Sequence, residues 1–209
     1  MDGSQFDTRY PVVLRFEGIG PDNLAGYEKH RKRVGGDTGH ILEHPPAPNR
    51  RLIGSENWAA EALAEIAEIK AQNFAAELEA LEQRKRKKDI QKRLAEGPHN
   101  PWRPTRHGPM REVILTANKE WFDADPAAVF DEGVENNQRI ADFEQLSIAW
   151  LKEQFGDDVI HARADLDEEA YHIHAVIMPR VCVEMMRTDK ATGEKKVIAT
   201  RHMLQPSKF

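Results

Sequence analysis

Residues 159–178 read VIHARADLDEEAYHIHAVIM, in which two apolar segments flank an acidic turn. Val159 to Ala164 and Tyr171 to Met178 have the length and composition of short strands, and the acidic residues between them are typical of a turn. Strands joined by so short a connection pair as an antiparallel hairpin. The stretch therefore predicts a hairpin that belongs to a sheet.

The hairpin carries a candidate metal site. Residues two apart in a strand point to the same side, about 6.6 Å apart along the chain, so His172 and His174 project together. Asp165 and Glu168 lie at the opposite side of the turn, close enough to add oxygen ligands. Two imidazoles and carboxylates with open positions suit Mn²⁺ or Mg²⁺ acting as a Lewis acid, and Zn²⁺ is also chemically acceptable. The alternative is a pair of half-buried histidines that hydrogen-bond their neighbours.

Further strands and a helix are predicted on either side of the hairpin in the sequence. Pro11 to Glu17, Glu112 to Ala117 and Glu194 to Thr200 have the composition of strands. Pro126 to Phe155 carries an apolar stripe at helical spacing, formed by Ile140, Phe143, Leu146, Ala149 and Trp150. These elements predict an α/β fold in which helices pack on one mainly antiparallel sheet.

A long helix is predicted for Glu56 to Ala95. The segment is dominated by Ala, Glu, Leu, Lys and Arg and contains neither Gly nor Pro. At about 1.5 Å per residue it would run about 60 Å if unbroken, so we expect part of it to project from the domain. Gly97-Pro98 ends it.

The charge pattern leaves a nucleic-acid partner open. A net charge of −5 argues against phosphate binding when taken alone. The basic residues are nevertheless concentrated at Lys29 to Arg33 and Arg84 to Arg111, whereas acidic residues fill Glu56 to Glu82 and Asp123 to Asp158. Local sign matters more than the sum when a binding groove is concerned.

The cysteine and hydropathy patterns predict a cytoplasmic protein. The one cysteine, Cys182, cannot form an internal disulfide, and its neighbours Val181 and Val183 predict a buried thiol. No apolar run approaches the roughly 18 residues needed to cross a bilayer, and the N-terminus lacks a signal-peptide pattern. Membrane insertion is therefore not expected.

Two candidate nucleophiles lie on a short helix predicted after the N-cap Asp22 and ended by Gly35-Gly36. Tyr27 and His30 share a face of this helix, and phenol and imidazole both form covalent phosphoryl intermediates. The alternative for His30, within a basic run, is a solvated or phosphate-contacting side chain. Glu112, at the start of a strand, is either a surface ion-pair residue or a carboxylate that orients a catalytic histidine.

Four blocks, in this order, resemble the Mob/Pre (MobV-type) plasmid mobilisation and recombination relaxases of the His-hydrophobic-His (HUH) endonuclease superfamily. The resemblance covers nearly all of the chain except the long helix. It implies a HUH-endonuclease-like layer plus one long projecting helix. It also implies one relaxase domain over residues 1–209, with a helical insertion at about 56–96 and a C-terminal extension that is absent or truncated. The blocks are Asn23 to Gly26 with Lys29, His30 and Arg33; Asn49 to Gly54; Glu112 to Ala117 with Trp121-Phe122; and Asp165 to Pro179.

The resemblance implies a centre that nicks DNA. His30, activated by Glu112, attacks the scissile phosphate and retains the 5′-phosphate as a covalent adduct. The substrate implied is single-stranded or hairpin plasmid DNA at the transfer origin, with a coupling protein as a further partner in the bacterial cytoplasm. The implied metal ligands are His172, His174, Glu168 and Asp165, and the implied DNA contacts are Lys29, Arg33, Asn49, Trp102, Arg103 and Arg106.

Two positions depart from the family pattern His-x-Asp-Glu-x-x-Pro-His-x-His. Asp165 stands in place of the first histidine and Tyr171 in place of the proline. Aspartate is a competent ligand for a hard divalent cation, which favours Mg²⁺ or Mn²⁺ over Zn²⁺. Two alternatives stay open: a catalytically weak or inactive DNA-binding module, and a rolling-circle replication or transposition nuclease that uses Tyr27.

Overall fold

The computed structural model describes residues 11–34, 39, 41–45, 47–105, 107–123, 137–189 and 192–209. Contacts divide the chain into two compact units, each described by itself below. In the described residues the strands are β1 (Val12–Ile19), β2 (Arg50–Ile53), β3 (Met110–Ala117), β4 (Val159–Asp165), β5 (His172–Ile177), β6 (Arg180–Thr188) and β7 (Lys195–Leu204). The α-helices are α1 (Leu24–Arg31), α2 (Trp58–Gln83), α3 (Lys87–Glu96), α4 (Lys119–Asp123) and α5 (Gln138–Phe155).

The first unit comprises Met1–Glu17, Lys29–Ser55 and Glu112–Ile177. Its described strands belong to a five-stranded sheet with the order β1-β3-β5-β4-β2. β4 pairs antiparallel with β5 and with β2, so the predicted hairpin is confirmed. The predicted α/β fold with a mainly antiparallel sheet is likewise confirmed. The strand β2 was not predicted, because four residues at the end of a Pro-rich segment give too little pattern.

Alternation along the strands sorts the side chains of this sheet onto two faces. The core includes Val113, Leu115 and Ala117 of β3, with Ile173, Ala175 and Ile177 of β5. Glu112, His172 and His174 alternate with these core residues along their strands and therefore point to the opposite face. This separation places polar chemistry on one face of the sheet and the hydrophobic core on the other.

The helix α5 packs on the core face of the sheet. It begins at Gln138 because Asn137 caps it, with the Asn137 side-chain oxygen accepting a hydrogen bond from the Ile140 amide at 3.0 Å. Of the predicted stripe, Ile140 and Phe143 are buried, but Leu146 is 69% exposed and Ala149 is exposed too. The buried face continues through Ser147 and Leu151. The predicted start at Pro126 lies outside the described residues.

The second unit comprises Gly18–Glu28, Glu56–Arg111 and Met178–Phe209. The single long helix predicted here is wrong, because residues 84–86 separate α2 from α3. Lys85 has a φ of 54°, the left-handed conformation that ends a helix. Five consecutive cations, residues 84–88, repel one another at this point of the sequence.

The helix α2 contacts the strand β7 within the second unit. On α2, Trp58, Ala62, Ile66 and Ile69 are buried. The side chain of Asn73 bonds the backbone of His202 on β7, donating to its carbonyl at 2.7 Å and accepting from its amide at 3.1 Å. The inner face of α2 is thus covered by its own unit.

The hairpin of β6 and β7 corrects the expectation for Cys182. The thiol is exposed, because β6 pairs only with β7 in the described sheet and leaves surface open to solvent. β7 confirms the strand predicted from Glu194, whereas β6 was missed. Among the described residues, no helix combines the length and apolar composition that crossing a bilayer requires.

Candidate metal centre

The register of β4 and β5 brings three predicted ligands together. Asp165 lies directly opposite His172, and Arg163 lies opposite His174. Opposed residues of an antiparallel pair share a face, with Cβ atoms about 5 Å apart. Ligand atoms of Asp165, His172 and His174 accordingly all lie within 4.8 Å of one another.

The imidazole nitrogens and the carboxylate converge on one point. His172 Nε2 lies 3.0 Å from His174 Nε2. Asp165 Oδ2 lies 3.5 Å from the first of these nitrogens and 3.7 Å from the second. Asp165 is fully buried and His174 is 8% exposed, so water competes weakly for these atoms.

The far side of each imidazole is held by a hydrogen bond. His172 Nδ1 lies 2.7 Å from the Ala170 carbonyl oxygen, which only a protonated Nδ1 can satisfy. His174 Nδ1 lies 2.7 Å from Glu112 Oε1, and the carboxylate accepts this bond in the same way. With the proton on Nδ1, each neutral ring presents the lone pair of Nε2 to the point of convergence.

Glu112 has a different partner from the one predicted. It was expected to orient His30, but its carboxylate binds His174. The reason is strand order, since β3 lies next to β5 in the sheet and Glu112 points to the face that carries His174. Its position therefore orients the imidazole of His174, a candidate metal ligand.

The residues present fit a divalent cation. Asp165 Oδ1 is buried without a hydrogen-bond partner among the described residues, which is costly unless a cation satisfies it. Two imidazole lone pairs aimed at the same point repel unless a proton or a metal lies between them. A donor set of two nitrogens and one carboxylate is chemically suited to Mn²⁺, Mg²⁺ or Zn²⁺.

Glu168 lies beside this triad. Its Oε2 is 3.5 Å from His172 Nε2, so it is placed to add a second carboxylate. Its Oε1 forms an ion pair with Arg33 Nη2 at 2.8 Å. The four predicted ligands are therefore together, with Glu168 shared between the centre and an arginine.

The protonation states favour a carboxylate at the centre. Burial raises the pKa of Asp165, but the hydrogen bond to His172 and the charge of Arg163 outweigh it and lower the pKa to about 2. Burial lowers the pKa of His172, yet the hydrogen bonds to Asp165 and Ala170 leave it above the ordinary histidine value. A proton therefore competes with a metal for His172.

The candidate nucleophile lies at the end of α1. This helix ends at Arg31, before the predicted Gly35-Gly36, which lies outside the described residues. Instead Arg33 takes the left-handed conformation, with a φ of 55°. The amide of Arg33 donates to the His30 carbonyl at 3.0 Å, and the Val34 amide donates to the Lys29 carbonyl at 2.9 Å, a left-handed helix cap.

Arg33 attaches this helix end to the acidic turn. Its Nε donates to Asp167 Oδ2 at 2.8 Å, and its Nη2 also bonds Asp167 and Glu168. Its Nη1 lies 3.3 Å from His30 Nε2. Arg33 was predicted to contact the DNA backbone; in this structure three carboxylates of the turn and strand surround its guanidinium.

The environment of His30 keeps it neutral and accessible. Burial, followed by the charges of Arg33 and Arg163, lowers the pKa of His30. Its side chain is 42% exposed, and Nε2 lies 4.0 Å from Glu168 Oε1. A neutral, accessible imidazole is a competent nucleophile.

Two residues of the site were missed from the sequence. Arg163 is 3% exposed, and its Nη2 lies 2.7 Å from Asp165 Oδ2. It precedes Asp165 by two positions, so strand alternation placed it on the same face. Asp167 is the main anchor of Arg33, a contact that no local pattern reveals because the residues are far apart in sequence.

Asn49, which was predicted to contact DNA, binds the acidic turn through its side chain. Its side-chain oxygen accepts hydrogen bonds from the amides of Leu166 at 2.7 Å and Asp167 at 3.3 Å. Two bonds to consecutive amides fix the backbone between Asp165 and Glu168. Asn49 therefore shapes the centre from the end of β2.

Tyr171, which departs from the family pattern, serves the opposite face of the sheet. Its hydroxyl donates to Glu144 Oε1 on α5 at 2.9 Å. Its ring packs edge-to-face on Phe122, with centroids 4.9 Å apart. The turn is thereby anchored to the helix that covers the core.

The other predicted DNA contacts are scattered. Lys29 and Arg103 are exposed, Trp102 is half-buried, and Arg106 lies outside the described residues. Tyr27, the alternative nucleophile, is assigned to the second unit, where its ring packs edge-to-face on Trp58 at a centroid distance of 5.6 Å.

Comparisons with known proteins give a likeness in structure but not in sequence. No protein-family model and no curated protein matches the chain. A crystal structure of the MobM relaxase domain (MOBV, Mob/Pre), described as Mn-bound and in complex with 22-nucleotide plasmid oriT DNA, matches with a TM-score of 0.50 and 18% identity, covering 79% of this chain and 69% of that chain. The chain has the fold of a Mob/Pre relaxase domain. A MobM structure with a 3′-thiophosphate on its DNA gives a TM-score of 0.51 at 17% identity and the same coverage.

The Mob/Pre relaxase fold confirms the resemblance drawn from the four sequence blocks, at the level of fold. At this identity the likeness concerns the fold alone, so the chemistry of the chain is argued from its own residues. In the relaxase fold of this chain, His30 at the end of α1 and the ligands of the hairpin belong to the same compact unit.

Proposed function

We propose that the chain is a plasmid relaxase, which nicks one strand at an origin of transfer by metal-dependent transesterification. The observation that carries the proposal is the convergence of His172, His174 and Asp165 beside an accessible His30. The relaxase fold supports the same conclusion, since the MobM domains that share it are described as bound to manganese and oriT DNA.

The proposed metal ligands are His172, His174 and Asp165, with Glu168 as a fourth. Carboxylate and imidazole donors favour Mn²⁺ or Mg²⁺, with Zn²⁺ third. When bound, the ion would act as a Lewis acid on a non-bridging phosphate oxygen and offset charge in the transition state. Glu112 contributes by keeping the Nδ1 proton on His174, which leaves Nε2 free to coordinate.

His30 is the proposed nucleophile. Its lowered pKa keeps the imidazole neutral near pH 7, and the donor Arg33 Nη1 at 3.3 Å favours the tautomer in which Nε2 carries the lone pair. Attack in line forms a P–N bond and breaks the P–O3′ bond. The 3′-oxygen takes a proton and leaves as a free hydroxyl, and the imidazole loses its other ring proton. The 5′-phosphate stays on His30 as a phosphoramidate, which preserves the energy for rejoining the strand.

The DNA partner follows from the same proposal. We take the substrate to be single-stranded or hairpin DNA at the transfer origin of a bacterial plasmid, with a coupling protein as a further partner. Lys29 is an exposed cation next to the nucleophile, suited to a backbone phosphate. In the second unit, Arg103 offers a further exposed cation and Trp102 a stacking surface. Residues 1–209 would form the catalytic domain of a cytoplasmic enzyme.

The proposal is tested by trapping the covalent adduct. End-labelled single-stranded DNA carrying the cognate transfer origin is incubated with protein and Mn²⁺, Mg²⁺ or EDTA, and the products are separated under denaturing conditions. We expect a metal-dependent, acid-labile adduct that is lost in His30→Ala and retained in Tyr27→Phe. An acid-stable adduct lost in Tyr27→Phe would indicate a tyrosine nuclease. DNA binding without any adduct would indicate a binding module.

A further inference from the structure

A buried arginine lies inside the candidate metal centre. Arg163 is 3% exposed, and its Nη2 lies 2.7 Å from Asp165 Oδ2. This is the same oxygen that lies 3.5 Å and 3.7 Å from the ring nitrogens of His172 and His174. The guanidinium therefore shares a ligand atom with the place that a cation would occupy.

Sheet geometry keeps this cation at the centre. Arg163 is two residues from Asp165 on β4 and is the register partner of His174 on β5. It is also the register partner of Arg51 on β2. Arg33 reaches Asp165 Oδ2 at 3.4 Å but is held mainly by Asp167. Of the two arginines that contact Asp165, Arg163 is thus the closer and the more buried.

A cation in this position has two opposed effects. A buried carboxylate without a counter-charge strongly destabilises a folded protein, so Arg163 stabilises the metal-free state. Once a divalent ion shares the same oxygen, the guanidinium repels it and competes for Asp165. A ligand that is anionic by itself then behaves, together with Arg163, like a neutral donor.

We propose that Arg163 is the charge-compensating partner of Asp165, stabilising the metal-free centre and limiting its affinity for divalent cations. The inference rests on the proposed metal centre and deepens it. It makes no use of DNA or of His30. The family pattern has a histidine at position 165, and a neutral imidazole needs no counter-charge. The buried carboxylate of Asp165 does need one, and Arg163 supplies it.

A cycle of variants tests the pairing. We compare wild type, Arg163→Met, Asp165→His and the double variant by thermal unfolding without metal. Arg163→Met should lower the Tm by about 10 °C, since it leaves a buried carboxylate without its nearest counter-charge. In the Asp165→His background the same change should alter the Tm by no more than about 3 °C, because no buried carboxylate is left without its counter-charge. The effect of Arg163→Met on the Tm thus depends on whether residue 165 is a carboxylate.

Metal affinity gives the second readout, which a purely structural arginine would not move. Titration calorimetry with Mn²⁺ should give a Kd roughly tenfold lower for Arg163→Met than for wild type. Arg163→Lys, which keeps the charge, should stay near wild type. Arg50→Met is the matched control, since Arg50 Nη2 pairs with Glu144 on α5 at 2.6 Å and its loss should leave the Mn²⁺ affinity unchanged.

Additive Tm effects, or an Mn²⁺ affinity that is unchanged or weaker in Arg163→Met, would overturn the inference. If Arg163→Met does not fold, the Asp165→His protein and the double variant still decide it, and a double variant whose Tm is about 10 °C below that of Asp165→His contradicts the pairing. A missing DNA adduct with the cycle as expected would overturn the nicking proposal alone. An adduct with an additive cycle would overturn this inference alone.

Discussion

Arg33 Nη1 lies 3.3 Å from His30 Nε2, three residues away at the end of α1. The contact depends on the left-handed backbone of Arg33, a conformation that favours glycine. Arginine is kept there at some conformational cost, and its guanidinium binds the carboxylates of Asp167 and Glu168. A strained residue held by several contacts at a candidate site is consistent with a functional role.

Replacing Arg33 should separate backbone strain from chemistry. Arg33→Gly relieves the left-handed backbone but removes the link between His30 and the turn, so we expect adduct formation to slow by about 100-fold. Single-turnover assays with labelled DNA measure the rate. Lys32→Gln, an exposed change one residue earlier, is the control and should have little effect. Equal rates for Arg33→Gly and wild type would show that Arg33 does not position His30.

Arg33 should also set the pH range in which His30 is neutral. Burial lowers the pKa of His30, and the charges of Arg33 and Arg163 lower it further. The imidazole therefore stays neutral at pH values below the ordinary histidine pKa of about 6.5. Arg33→Gln removes one of these charges and should move the pKa of His30 upward. Titration of the His30 ring signals by NMR measures the change directly. An unchanged or lower value would contradict the electrostatic account.

Glu112 should support metal binding through His174. Glu112→Gln keeps the shape of the side chain but removes the charge that holds the Nδ1 proton, so we expect the Mn²⁺ affinity to fall about tenfold or more. Calorimetric titration measures it. Glu144→Gln, a matched change in the carboxylate that accepts from Tyr171, should leave Mn²⁺ binding intact. If Glu112→Gln binds Mn²⁺ normally but loses adduct formation, the original prediction that Glu112 serves His30 is restored.

Tyr171 should matter for stability and not for nicking. Tyr171→Phe loses one partly buried hydrogen bond to Glu144, which is worth about 1 kcal/mol in the free energy of unfolding. Urea unfolding measures this loss, and the adduct assay should remain near wild type. Unchanged stability combined with a lost adduct would instead place the phenol in the chemistry.

Local pattern was enough to predict the hairpin and the side chains that converge on it. Alternation along β4 and β5 put His172 and His174 on one face, and the acidic turn placed Asp165 and Glu168 nearby. The same alternation puts Arg163 on that face, but it was missed because a charged residue in a short strand is equally compatible with an exposed position. Its burial becomes evident only when its partners in the neighbouring strands are known.

The partners of Glu112 and Arg33 depend on contacts that sequence order does not encode. Glu112 meets His174 because β3 and β5 are neighbours in the sheet, although 62 positions separate the two residues. Arg33 contacts Asp167, which lies 134 positions later in the sequence. The contact depends on the left-handed φ of Arg33, a conformation that sequence propensities do not predict for arginine. The break after α2 has a local signal in the run of cations, yet composition across the whole segment favoured one helix.

The most direct test of the account is to map the covalent bond. Wild-type protein is reacted with single-stranded DNA from the cognate transfer origin and Mn²⁺, digested with nuclease and protease under neutral conditions, and analysed by tandem mass spectrometry. The account predicts a nucleotide 5′-phosphate on the peptide that contains His30, localised to the imidazole and absent when EDTA is present. A phosphate localised to Tyr27, or adduct formation that is equally efficient in EDTA, would contradict it.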